Sequence, residues 1–251
     1  MKALLAAMFV AAVPMGMAHA RPPDVCEVPG YLLFGESELH HVNKTVKEQK
    51  RLKVLVIGTR SSTLAGTDGA EHAYPARLEA ALAERLPGVA VKVSTLITPR
   101  QTVEQVVAGL KKTLAEQTPD LVIWQAGTVD AIRGMGADDF GNMVDSGVGR
   151  ILRAGADVIL MNMQYSPRTE TIILAGPYAE NLRWVAQQRH VPLFDRFAIM
   201  QHWSDSGVFD FFAATTAFTI AEKVHDCLAK ALAAQIIDAA QLGPMAAPKI
   251  Q

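Results

Sequence analysis

The chain has 251 residues, half of them apolar, with a formal net charge of −1 at pH 7. That is enough for one sizeable α/β domain with its own core. The near-neutral balance argues against nucleic acid or an anionic membrane surface as partner, since both usually bring a basic excess.

Residues 1–20 read as a cleaved signal peptide. Lys2 supplies the positive start, Ala3–Val13 is an apolar run too short to span a membrane, and Ala18-His19-Ala20 is a small-x-small cleavage site. The expected mature protein starts near Arg21 and is periplasmic or secreted, with no transmembrane anchor. Residues 21–50 form an arm, extended through Pro22, Pro23 and Pro29 to Gly35, and then a polar helix over Glu36–Gln49. Ser37, in Gly35-Glu36-Ser37, resembles a nucleophile turn, but the polar stretch behind it suits a cap or loop serine better. His40 and His41 are adjacent, without the i, i+4 spacing of a metal pair, and no metal or cofactor is expected.

Lys53–Gly66 is the centre of the chain. Val54–Ile57 is a continuous apolar run suited to a strand buried on both faces, and Gly58 opens a turn of Thr59, Arg60, Ser61, Ser62 and Thr63. A helix follows over Ala73–Arg85, then a strand over Val89–Ile97 and a helix over Thr102–Glu116. The third strand is Leu121–Ala126, closed by Gly127-Thr128-Val129-Asp130. A glycine-rich loop, Gly134–Gly141, leads to a helix around Asn142–Ala154, and the fourth strand spans Val158–Met163. A helix over Tyr178–Arg189 and a short strand over Val191–Phe194 complete the alternation before a terminal helix over Thr216–Ile237. Alternation with short connections predicts a doubly wound, parallel, five-stranded sheet in three layers, within a domain over 51–240 and ahead of a tail over 241–251.

Two cysteines, Cys26 and Cys227, are either a disulfide tying the arm to the last helix or two unpaired buried thiols; the sequence leaves both open. His225, about 100° from the centre of the terminal helix's apolar stripe, is expected to point sideways or outward.

Three stretches resemble the SGNH/GDSL hydrolases, a family of esterases, lipases and carbohydrate deacetylases with a flavodoxin-like core. These are Val54–Gly58 with its serine-rich turn and Tyr74–Glu79, then Asp120–Thr128, then Arg196–Met200 with His202, Trp203 and the cysteine-bearing helix. The resemblance implies a serine nucleophile at the end of the first strand, an oxyanion site including an asparagine, and an Asp-x-x-His ahead of the last helix. Here Arg60 stands in the ungapped serine position, Val129 in the asparagine position, and Thr216 and Thr219 where the aspartate and histidine belong. Arginine stays protonated and cannot attack a carbonyl.

Two functions follow. One is a non-catalytic exported protein, or accessory subunit, binding a glycan or a small anionic ligand through Gly58, Arg60, Arg100, Gly127, Thr128, Asp130, Tyr165 and Arg168, because clustered arginines with hydroxyls and an aromatic suit carboxylates and acidic sugars. The alternative is an active ester hydrolase using Ser61 or Ser62 with a relocated base such as His202.

Overall fold

The computed structural model describes residues 26–167, 171, 173–212 and 218–243. The expected signal peptide, Arg168, Thr216 and the end of the tail lie outside the described residues.

In chain order the elements are α1 (Gly30–Leu33), α2 (His40–Gln49), β1 (Arg51–Gly58), a 3-10 turn (Arg60–Ser62), α3 (Tyr74–Arg85), β2 (Ala90–Ile97), α4 (Val103–Gln117), β3 (Leu121–Gln125) and α5 (Thr128–Ile132), followed by α6 (Ala137–Arg153), β4 (Asp157–Met161), α7 (Ala175–Arg189), β5 (Leu193–Phe194), α8 (Arg196–Asp205) and α9 (Phe218–Ala239). The five strands form one parallel sheet in the order β2-β1-β3-β4-β5. This is the expected three-layer α/β fold. The departures are local: a helical turn interrupts the arm at Gly30, and α6 starts inside the glycine-rich stretch that reads as a loop.

The layers follow from the two-residue period of the strands. Leu52, Val54 and Val56 of β1, Leu121 and Ile123 of β3, and Ile159 and Met161 of β4 face one core, shared with α2, α3, α8 and α9. Leu55 and Ile57, Val122 and Trp124, and Val158 and Leu160 face the other, under α4, α6 and α7. Because both faces are covered, the strands read as unbroken apolar runs. Gly147 lets α6 close on the sheet, since a Cβ there would lie 2.4 Å from the Trp124 ring.

The arm is bonded to the domain. Cys26 and Cys227 form a disulfide, with Cα atoms 4.8 Å apart. The Trp203 indole N–H donates to the Glu27 carbonyl (3.1 Å), and the Gln235 amide donates to the carbonyls of Leu33 (2.9 Å) and Leu193 (3.0 Å).

His225 does not point outward. It is 5% exposed, and its Nδ1 accepts the Tyr74 backbone N–H at 2.9 Å, capping the first turn of α3. The stripe of α9 faces the sheet, but α3 packs along its flank, so a residue off the stripe meets a neighbouring helix.

No helix among the described residues is long and apolar enough to cross a membrane, and no group of three or more metal-ligating side chains occurs there.

Candidate functional site

In a parallel sheet the loops at the carboxyl ends of the strands form the site. Here β1, β3, β4 and α8 deliver the Thr59–Ser62 turn, Gln125–Asp130, Asn162–Tyr165 and Arg196. The organising residue is Gln125, the last of β3 and 2% exposed. Its Oε1 accepts from the Thr59 N–H (3.2 Å), the Thr59 hydroxyl (3.3 Å) and the Ser62 hydroxyl (3.1 Å), while its buried Nε2 has no partner among the described residues.

Ser62 is sealed beneath the turn. It is 1% exposed, and a Cβ at Gly58 would come within 2.4 Å of its Oγ. With its proton donated to Gln125, its oxygen accepts from the Tyr74 hydroxyl at 3.1 Å. Burial raises the Tyr74 pKa above its usual value, so the phenol stays protonated and is a poor general base. His225, packed beside the Tyr74 ring, spends Nδ1 on the Tyr74 backbone. Burial, and then the charges of Arg196 and Arg77, lower its pKa to about 3.

Ser61 is partly exposed, and its carbonyl accepts from Arg196 Nη1 at 3.0 Å. His202, on α8, makes no hydrogen bond to Ser61 or Ser62 among the described residues; its ring is part-exposed and its carbonyl receives the Ser206 N–H and hydroxyl. The structure therefore brings Ser61 and Ser62 together at the end of β1, with no histidine among the described residues bonded to either.

The other expected ligand residues divide. Arg60 and Arg100 are exposed at the ends of β1 and β2. Gly127 opens α5 at a φ of 107°, where glycine is at home, with Met163 against it. The buried Thr128 hydroxyl has no partner among the described residues. Asp130 is 2% exposed, and its Oδ1 accepts the Val103 N–H at 2.8 Å, beside the Thr102–Gln105 capping box of α4. Burial raises its pKa against the hydrogen bonds that hold its carboxylate. Tyr165 is buried edge-on against Phe197 (5.4 Å between centroids) and Phe211 (6.1 Å) in an aromatic cluster. The space bounded by Gly58, Thr59, Gln125, Gly127 and Asp130 is about 10 Å³, room for about one water.

Sequence reasoning missed Gln125 and Arg196 as site residues. Arg196 is 1% exposed, with its guanidinium 5.8 Å from the centre of the Tyr74 ring. Asp195 holds it there: Oδ1 caps α8 through the Ala198 N–H (3.0 Å) and accepts from Asn162 (2.7 Å), while Arg183 grips Oδ2 (2.8 Å). The available signal was a buried strand ending in a polar side chain, and an arginine directly after a capping aspartate.

A family model described as the non-GDSL lipase-like family matches residues 25–242. The chain belongs to that family. No curated relative matches it significantly. Among solved structures it is similar to TesA (21% identity, TM-score 0.56, covering 73% of this chain and 99% of TesA). It is also similar to Axe2, an acetylxylan esterase from Geobacillus stearothermophilus (20%, 0.57, 74% and 94%). A third similar structure is LAE5, an α/β hydrolase enzyme from the metagenome of Lake Arreo, Spain (16%, 0.57, 74% and 96%). At these identities the likeness is one of fold, an SGNH/GDSL hydrolase-like α/β sheet. The family model starts at residue 25, one residue before the bridged Cys26, so the described part of the arm lies within the family's span.

Proposed function

We propose that this non-GDSL lipase-like protein is exported and binds a small anionic or glycan ligand at the carboxyl ends of its strands without hydrolysing esters. The observation that carries the reading is the state of Ser62: its hydroxyl is buried and donated to Gln125, and the group at its oxygen is a phenol with a raised pKa rather than an imidazole. Acyl transfer needs a base to take the serine proton and donors for the oxyanion, and these parts act as a unit. Val129 adds a hydrocarbon where the family resemblance expects an oxyanion donor, a loss that typically costs about 100- to 1,000-fold in rate. The exposed Arg60 and Arg100 at the same end of the sheet suit an anionic ligand. The disulfide fits an oxidising compartment, and the apolar start of the chain suits a signal peptide.

The fold neighbours include an esterase, which keeps ester hydrolysis through Ser61 or Ser62 as the rival reading. Hydrolysis of p-nitrophenyl acetate and butyrate by the mature protein, beside Ser61→Ala and Ser62→Ala, separates the two. The expected result is a rate for the native protein equal to that of both variants. A native rate that disappears with one serine would make the protein an esterase.

A further inference from the structure

The most deeply buried arginine among the described residues, Arg196, has no acid beside it. Arg51 pairs with Asp120, Arg77 with Glu222 and Asp226, Arg183 with Asp195, and Arg189 with Asp145. Arg196, 1% exposed, has no carboxylate within 4.0 Å among the described residues. Fully buried arginines are otherwise almost always paired.

Its five N–H donors meet few acceptors. Nη1 reaches the Ser61 carbonyl at 3.0 Å and, more distantly, the Ser61 hydroxyl at 3.5 Å. Nη2 has one long bond, 3.4 Å, to Gln164 Oε1, and the buried Nε has none. The Nε–Nη2 edge is the side that Arg189 offers to Asp145 (2.6 and 2.5 Å) and Arg183 to Asp195 (3.2 and 2.8 Å). In Arg196 the Nη2 end of that edge meets only Gln164, a partly exposed residue, and the Nε end meets no acceptor. Burial lowers the Arg196 pKa to about 10, which leaves the side chain charged at neutral pH.

Resting on the binding reading above, we infer that Arg196 is the receptor for a ligand carboxylate, which enters over Ser61 and displaces the Gln164 side chain from the Nε–Nη2 edge. The ligand class is a small carboxylic acid or a sugar acid. A planar carboxylate matches this edge with two parallel hydrogen bonds, and a buried guanidinium strengthens them. Arg60 and Arg100 lie outside this contact and serve to attract the anion.

The test uses a variant that supplies the missing acid from within. Gln164→Glu places a carboxylate at the long-bonded position, so it should pair with Arg196 and exclude the ligand. Thermal midpoints are read for the mature native protein, Gln164→Glu and Arg85→Ala, an exposed arginine in the last turn of α3 and outside the site, each with D-glucuronate or D-glucose at constant ionic strength. Glucuronate should raise the native midpoint by about 2–4 °C, the size of a kcal/mol-scale effect in a domain of this length. Glucose should do nothing, Arg85→Ala should still respond, and Gln164→Glu should not respond. The inference is overturned by an absent native response, by an equal response to glucose, by a response that survives Gln164→Glu, or by one that vanishes in Arg85→Ala. None of these results restores hydrolysis, and serine-dependent ester hydrolysis would overturn the binding reading itself.

Discussion

Removing the Cys26–Cys227 bridge lowers the stability of the protein by about 3–5 kcal/mol. The bridge spans 201 residues of sequence, nearly the whole described chain, so it restricts the unfolded ensemble more than a short loop would. The arm has other contacts to hold it: Leu33 and Leu39 lie in the core, and the Glu27 carbonyl accepts from Trp203. The expected phenotype is a folded protein with a lower midpoint, not an unfolded one. Urea unfolding of Cys26→Ala/Cys227→Ala beside the native protein, with and without reductant, measures it. Reductant should move the native curve onto that of the double variant and leave the variant unchanged. Coincident oxidised curves for native and variant protein would remove the disulfide from the account.

The second large effect is an acid sensitivity centred on His225. Its folded pKa is depressed to about 3 from the ordinary histidine value of 6.5, mainly by burial. The folded state therefore binds fewer protons than the unfolded state between these values, and stability falls as pH drops from about 6.5 towards 3. At pH 5 the loss relative to pH 8 is about 2 kcal/mol. Asp130 and Asp157, whose pKa values burial raises, oppose this trend, so the His225 share must be isolated by substitution. His225→Asn keeps an acceptor for the Tyr74 N–H and cannot be protonated in this range. Its urea-unfolding free energy should fall between pH 8 and pH 5 by about 2 kcal/mol less than that of the native protein. Equal pH dependence in both would show that the imidazole is not buried neutral.

The fold was readable because the strands are buried on both faces: Val54–Ile57, Leu121–Trp124 and Val158–Met161 are apolar runs that need no partner information to be recognised. The residues that define the candidate site were less readable, since their roles depend on neighbours distant in sequence. Helical periodicity places His225 relative to the sheet but says nothing of α3, which meets it from the side. Arg196 follows a capping aspartate and reads as a polar helix start, yet the aspartate's bonds to Arg183 and Asn162 fix that start where the guanidinium falls under Ser61. Asp130 looks available beside Thr128, but it is bonded to Val103, the first residue of α4, 27 positions earlier in the chain. The cysteine pairing needed the 4.8 Å Cα separation that only the packed arm provides.

The central claim is that no serine at the end of β1 is an activated nucleophile. Incubating the mature protein with a fluorophosphonate and reading intact mass, followed by peptide mapping, tests it directly. The account predicts no adduct on Ser61 or Ser62 after prolonged exposure. A stoichiometric phosphonyl adduct on either serine would contradict it.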